Sequence, residues 1–292
     1  MADAAKPAPP VRAEYEVAVG EAQFGEVERP LSAWERLTNV TWVRRAFIVA
    51  MLALAWEIYA RFLDNPLMFP AFSEVCGAFY DAFVKGPLLG RMATTIQVLL
   101  TGYATGLALA AVMTTLAVST RIGNDLLATL TAMFNPLPAI ALLPLALLWF
   151  GLGIPSLVFV IVHSVLWAVA LNTHTGFRSV SETLRMAGQN YGLTGVRYVI
   201  AILIPAAFPS ILAGLKIGWA FAWRTLIAAE LVFGVSARSG GLGWYIFENR
   251  NLLETANVFA GLLTVIVIGL FVEGVIFRAI EAKTVRRWGM QR

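Results

Sequence analysis

Six long apolar segments constrain the fold of this chain most strongly, because each is close to the length that crosses a lipid bilayer. A spanning helix needs about 20 predominantly apolar residues, and lipid offers no partner for unpaired backbone groups, which favours helices. Only 14% of the 292 residues are charged, against about 25% in a typical soluble domain. The sequence therefore predicts an all-α membrane protein with six transmembrane helices, at about residues 46–63, 93–118, 126–150, 154–173, 209–234 and 257–280.

Arginine and lysine residues near the segment ends predict the orientation of the spans, since cytoplasmic loops carry an excess of them. One side carries Lys85, Arg91, Arg238 and Arg250. The other side carries many more: Arg36, Arg44, Arg45, Arg121, Arg178, Arg185, Arg197, Lys283, Arg286, Arg287 and Arg292. We therefore expect the second side to be cytoplasmic, with both chain termini on it, as an even number of spans requires. The net charge of +4 is attributed to this topology and not to nucleic acid binding.

The first 45 residues are polar and precede the transmembrane domain at residues 46–292. Ser32 and Glu35 have the spacing of a capping box, and apolar residues follow it. Residues 31–45 are predicted to form an amphipathic helix on the cytoplasmic membrane surface, with a plain linker as the alternative. Outside the membrane, a short helix is expected from Ser73 to Val84.

Two spans carry small residues at every fourth position. Such spacing lets helix backbones approach closely, so the spans are expected to form a compact bundle. The residues are Gly102, Gly106 and Ala110 in the second span, and Gly214, Gly218 and Ala222 in the fifth.

The third span contains Pro136, Pro138 and Pro144. Each proline removes a backbone donor, and the carbonyl it leaves free must be satisfied by a neighbour or by water. We expect a helix that bends beside a transport pathway, or else a kinked helix with a purely structural role.

The segment between the fourth and fifth spans predicts a short helix at about residues 181–192. Ser181 begins it, because short polar side chains cap helix starts. Glycines end it, because glycine readily adopts the positive φ of a helix C-terminus; these are Gly192 and Gly195. A simple linker needs neither feature, so the helix is expected to lie flat on the cytoplasmic side and to dock a partner.

This segment resembles the coupling helix of ABC importer permeases, whose signature is Glu-Ala-Ala, three residues, Gly, nine residues, Ile, one residue, Leu-Pro. Ala187 and Gly192 match the first Ala and the Gly, while Met186 stands at the Glu and Gly188 at the second Ala. Ile202 and Ile204–Pro205 complete the signature. NPLPAIALLPLALLWFGLG, NYGLTGVRY and IPAAFPSILAGLKIG are similar to permeases of the nitrate, sulfonate and taurine group, over about residues 66–280.

The resemblance implies the transmembrane permease subunit of a bacterial ABC importer in the inner membrane, carrying a small oxyanion such as a sulfonate, taurine or nitrate. It implies four further partners besides membrane lipid: a second permease copy in a homodimer, two cytoplasmic ATP-binding subunits, and a periplasmic or lipid-anchored substrate-binding protein. The residues expected to couple this chain to the ATPase are Met186, Ala187, Gly188, Tyr191 and Gly192.

Neither a catalytic residue nor a bound cofactor is expected in this chain. The phosphate loop of an ATPase needs a Gly-Lys pair before Ser or Thr, and none of its four lysines follows a glycine. ATP and Mg²⁺ are therefore expected on a partner subunit. One cysteine and two histidines predict no metal site.

Charged and polar side chains within the spans are candidates for a substrate pathway, because such residues usually face a cavity or a partner. Arg224 is predicted to line an anion pathway, or else to pair with Glu57, Glu230 or Glu273. His163 is a candidate for binding an oxyanion or stacking on an aromatic cargo, the alternative being a hydrogen bond to a neighbouring helix. Glu230 and Lys216 complete the candidate set, although Lys216 lies nearer the cytoplasm and can extend its ammonium group to the membrane surface.

Two other functions are compatible with an apolar chain. A self-contained secondary transporter of a small organic anion would need coupling carboxylates at mid-membrane and, often, an inverted repeat. The sequence has few such carboxylates and no evident repeat. A membrane enzyme would need clustered His, Asp or Cys residues, and the two histidines are separated.

Overall fold

The computed structural model describes residues 39–233 and 240–287 of the chain. The described residues divide into two units, with the boundary between Leu52 and Ala53. Most of the predicted interfacial helix at residues 31–45 lies outside the described residues, and residues 41–45 belong to the first helix.

The described residues form helices, with no strand among them. A 3-10 turn (Ala139–Leu142) precedes α5, and two π-helical turns, Val199–Leu203 and Val272–Phe277, precede α9 and α12. In chain order the α-helices are α1 (Thr41–Leu63), α2 (Phe72–Val84), α3 (Leu88–Ser119), α4 (Arg121–Phe134), α5 (Leu143–Phe150), α6 (Ile154–Arg178), α7 (Glu182–Asn190), α8 (Gly195–Tyr198), α9 (Ile204–Phe233), α10 (Leu242–Asn251), α11 (Thr255–Phe271) and α12 (Arg278–Lys283).

Five helical segments of the described chain are long and apolar enough to cross a membrane: Thr41–Leu63, Leu88–Ser119, Ile154–Arg178, Val199–Val232 and Thr255–Lys283. The short helix predicted from Ser73 to Val84 is confirmed as α2. All five are longer than predicted, the fourth and fifth of the predicted spans among them. The fourth continues to Arg178, and the fifth begins at Val199 because the helix runs through Pro209.

The third predicted span, at residues 126–150, is not one continuous helix. Arg121–Phe134 and Ala139–Phe150 are separated by a break and bent by 87°. Pro138 adopts an extended backbone, with φ −60° and ψ 120°, and proline cannot supply the N–H that would continue the helix. The expected bend is thus a break, and the predicted count of six spans holds only if the broken pair is one span.

The small-residue stripe of α3 packs against α6. Gly102, Gly106 and Ala110 are all buried. A Cβ added at Gly102 would lie 2.7 Å from the Cβ of Ile161, and one added at Gly106 would lie 2.8 Å from the Cβ of Val165. These distances are shorter than carbon atoms tolerate, so glycine is required for this approach of the two helices.

The stripe of α9 packs against α6 as well. A Cβ added at Gly214 would lie 2.8 Å from the Cβ of Asn172, and one added at Gly218 would lie 2.9 Å from Cγ2 of Val169. Ala222, one turn further along, is fully buried. The predicted compact bundle is confirmed, with α6 as the helix that both stripes contact.

We expect Gly102→Ala to destabilise the protein by about 1–3 kcal/mol, because the added methyl group overpacks the contact with Ile161. Gly90→Ala is the matched control in the same helix, since a Cβ there has nothing within 4 Å. It should be neutral or stabilise by up to about 1 kcal/mol through helix propensity. Thermal unfolding of the purified proteins in detergent measures both. Equal shifts in the two variants would contradict the packing argument.

Candidate functional site

A cavity of 340 Å³ lies where the break between α4 and α5 faces α6 and α9. The side chains of α9 that line it are spaced along one face of the helix, at positions i, i+3, i+4 and i+7. The lining residues are Asn135, Pro136, Leu137, Pro138, Ala139, Ile140, His163, Ser164, Trp167, Phe221, Arg224, Thr225 and Ala228. Two of the four predicted pathway residues, Arg224 and His163, are therefore brought together.

Arg224 is an exposed cation that lines this cavity. Its Nε donates a hydrogen bond to the Ala220 carbonyl at 3.0 Å, and its guanidinium carbon lies 5.3 Å from the ring centroid of Phe221. Among the described residues, no carboxylate forms an ion pair with it. Charge within a membrane segment is costly without a counter-charge, so this guanidinium is available to an anion.

The alternative that Arg224 pairs with an acidic residue is wrong for the described carboxylates. Glu57 instead binds Arg61 at 2.6 Å and the hydroxyl of Ser73 at 2.9 Å. Glu230 binds elsewhere, as described below. Glu273 lines a second cavity together with Arg224, but it lies beyond ion-pairing distance.

His163 has no hydrogen-bond partner for either ring nitrogen among the described residues, although both nitrogens are buried. The predicted alternative, a hydrogen bond from His163 to a neighbouring helix, is therefore wrong for the described residues. The ring contacts Phe134 and Trp167 edge-on, at centroid distances of 6.3 and 6.2 Å. Trp167 also stacks on Phe134 at 5.5 Å. Buried polar atoms are usually hydrogen-bonded, so these nitrogens are further groups that a cargo could satisfy.

Ser164 and Thr225 were not among the predicted site residues. Their hydroxyl oxygens lie 2.9 Å apart and join α6 to α9 in the wall of the cavity. The sequence did contain a signal, because each residue directly follows a predicted site residue, His163 or Arg224.

Glu230, a third predicted pathway residue, lies outside the cavity and is fully buried. The hydroxyl of Thr95 donates to its carboxylate at 3.0 Å, and the N–H of Gly243 donates at 2.9 Å. Thr95 in turn accepts a hydrogen bond from the N–H of Leu242 at 2.7 Å. This network fastens α10 to α3 and α9, and a side chain at Gly241 would collide with the same carboxylate.

Helix α10 is fastened at a second point by Arg91. Its guanidinium donates to the Gly240 carbonyl at 2.9 Å and pairs with Glu248 at 3.1 Å. Burial raises the pKa of Tyr245, in the same helix, to about 12, and the nearby Glu254 and Glu248 carboxylates add to the shift. Its phenol therefore stays neutral at physiological pH.

Lys216, the fourth predicted pathway residue, forms an ion pair with Glu281 at 2.5 Å. Glu281 was not predicted as its partner, since the last span was expected to end at residue 280. Lys216 lines the second cavity, of 400 Å³, together with Trp219, Arg224 and Glu273. Arg224 thus borders both cavities.

Helix α7 forms where the coupling helix was predicted, and it ends as expected. Gly192 and Gly195 have φ angles of +70° and +56°. The N–H of Leu193 donates to the carbonyl of Gly188 at 3.0 Å, as in a glycine-terminated helix end. Ser181 precedes the helix but makes no capping hydrogen bond through its side chain.

The five predicted coupling residues divide into an exposed set and one buried glycine. Met186, Ala187, Tyr191 and Gly192 are exposed, with 86% of Tyr191 accessible. Gly188 faces inward instead. A Cβ added there would lie 2.9 Å from the ring of Tyr198 and 3.1 Å from Cγ1 of Ile202.

Arg185, also in α7, is a functional candidate that the sequence did not single out. Its Nη2 donates to the Phe177 carbonyl at 2.7 Å, and its Nε donates to the Val180 carbonyl at 3.2 Å. Because Phe177 belongs to α6, these bonds fix α7 to the end of the central helix.

Comparison with known proteins gives a family match over most of the bundle. The model of the family described as "Binding-protein-dependent transport system inner membrane component" matches residues 102–286. The taurine transport system permease protein of Escherichia coli strain K12 is 29% identical, over 77% of this chain and 82% of that protein. The nitrate import permease protein of Synechocystis sp. strain PCC 6803 is 28% identical, over 79% of this chain and 85% of that protein. With its five or six apolar spans, the chain belongs to the family of binding-protein-dependent transport system inner membrane components, the multi-pass permeases of ABC transporters.

Proposed function

We propose that this permease subunit forms the path of a small oxyanion, such as a sulfonate, taurine or nitrate, in an ABC importer. The observation that carries the proposal is the cavity in which Arg224 has no carboxylate partner among the described residues. None of the described residues that line the cavity is acidic, so this lining is positively charged. A cation in the cavity would be repelled, whereas an anion would be stabilised there.

The chemistry of the lining favours an oxyanion in particular. A guanidinium group presents several N–H donors in a planar fork that matches sulfonate, carboxylate and nitrate oxygens. The hydroxyls of Ser164 and Thr225 and the ring nitrogens of His163 add further polar groups to the same lining. Taurine and nitrate, which are named for two similar permeases, both carry such oxygens.

We further propose that α7 docks on a cytoplasmic ATP-binding subunit. Its exposed side carries Met186 and Tyr191, with half of Met186 accessible. The Arg185 bonds to α6 and the contact of Gly188 with Tyr198 and Ile202 tie it to both adjacent spans. Motion of the docked subunit would therefore reach α6 and α9, the helices that line the cavity.

The complete transporter would contain two copies of this permease, two ATP-binding subunits and an external substrate-binding protein. ATP with Mg²⁺ would bind on the partner subunits, since no lysine of this chain follows a glycine. Closure of the ATP-binding subunits would turn the bundles outward, and the substrate-binding protein would then deliver the cargo.

The central test is ATP hydrolysis by the reconstituted complex, measured with the substrate-binding protein and a panel of taurine, alkanesulfonates, nitrate and cationic amines. Stimulation by one or more anions and by no amine is expected. An ATPase that does not co-purify with the chain, or stimulation by amines alone, would overturn the proposal.

Arg224→Gln should lower anion uptake by roughly 10- to 150-fold, since a hydrogen bond to a charged group contributes about 1.5–3 kcal/mol. Arg250→Gln is the matched control, because Arg250 also lies over a phenylalanine three residues earlier, Phe247, at 5.8 Å. It lines neither cavity and should leave uptake unchanged. Uptake into proteoliposomes measures both, and equal loss in the two variants would count against the assigned site.

Tyr191→Ala should weaken the affinity for the ATPase roughly 30-fold, because a central aromatic side chain at an interface often contributes 2 kcal/mol or more. Tyr80→Ala removes an equally polar aromatic side chain, 62% exposed, from α2 on the predicted outer side. It should leave the complex intact. Quantitative pull-down of the ATPase compares them. Retention of the ATPase by Tyr191→Ala would refute docking through this surface.

A further inference from the structure

A third cavity, here called the basic cavity, lies at one end of the bundle, apart from the two cavities already described. Its volume is 500 Å³, and it forms where α3 ends, α4 begins and α6 ends beside α7. Arg121, Arg178 and Arg185 line it together with His174, Asn124 and Asp125. The three arginines outnumber the single carboxylate, so the cavity carries a net positive charge.

Two of its cations are free to bind a ligand. Arg121 and Arg178 are exposed, and neither takes part in an ion pair among the described residues. Asp125 forms no ion pair with either of them among the described residues, and its carboxylate accepts a hydrogen bond from the Asn124 amide at 3.1 Å. Arg185, in contrast, already has partners. It donates a hydrogen bond to the carbonyl of Phe177 in α6 and lies 4.0 Å from the carboxylate of Glu182.

Apolar side chains form another part of the lining of the basic cavity. Ala117, Val118, Phe177 and Leu203 line the same cavity. The first three belong to the last turns of membrane-spanning helices, and Leu203 to the first turns of another. The charged groups and the apolar groups therefore meet at the end of the spans, at the depth where lipid headgroups lie.

We propose that the basic cavity binds the phosphate group of an anionic phospholipid. Two unpaired guanidinium groups match phosphate oxygens, and the apolar part of the lining suits the start of an acyl chain. The bias of arginine towards the cytoplasmic side explains the side on which these residues lie, but not their convergence on one cavity. Because Arg185 belongs to α7 and Leu203 lies directly before α9, the bound lipid holds the position of α7 between α6 and α9.

The experiment is native mass spectrometry of the full-length permease released from membranes of equimolar phosphatidylglycerol and phosphatidylethanolamine. Retention of phosphatidylglycerol in preference to phosphatidylethanolamine is expected. Arg121→Gln/Arg178→Gln should weaken that retention roughly 30-fold, on the scale of about fivefold for each basic residue near an anionic headgroup. Arg197→Gln/Arg287→Gln removes two exposed arginines that do not line the cavity and should retain the lipid.

Two further measurements distinguish a bound lipid from a free anion and from a protein contact. Inorganic phosphate at millimolar concentration should not displace phosphatidylglycerol, and displacement would identify a free-anion site and overturn the proposal. Loss of the ATPase from Arg121→Gln/Arg178→Gln with unchanged lipid retention would identify a protein contact and also overturn it. If that variant fails to fold, Arg121→Lys/Arg178→Lys keeps both charges. It should retain phosphatidylglycerol, and failure to do so would contradict an electrostatic site.

Discussion

The close packing of two glycine stripes on α6 is the interaction on which the rest of the structure depends. Both α3 and α9 approach α6 so closely that an added Cβ would clash. The glycines that permit this are Gly102 and Gly106 in α3 and Gly214 and Gly218 in α9. Within lipid, helix association relies on such packing, because burial from water no longer drives it. The approach also places Ser164 of α6 beside Thr225 of α9, and so sets the width of the candidate cavity.

The same central helix connects the candidate cavity with the helix proposed to couple it. His163, Ser164 and Trp167 lie in the middle of α6, while Phe177, near its end, accepts the bond from Arg185. A single continuous helix joins the two sites. The π-helical turn at Val199–Leu203 interrupts the other connection, through α9. Such turns are frequent at functional positions within helices.

The sequence predicted local features well, because they depend on the backbone preferences of individual residues. The positive φ angles of Gly192 and Gly195, the disruption at Pro136 and Pro138 and the small-residue contacts of Gly102 all follow from local chemistry. Partners distant in the chain could not be predicted in this way. The Lys216–Glu281 pair joins residues 65 positions apart, and the bonds of Glu230 depend on how α10 returns to the bundle.

Arg224 borders two chambers at once, and this has an electrostatic consequence. The described lining of the first cavity contains no carboxylate, whereas that of the second contains Glu273. An anion passing from one to the other would meet repulsion at Glu273 unless the guanidinium offset it. Since this one side chain lines both cavities, the anion proposed as cargo would keep a counter-charge while passing from one to the other.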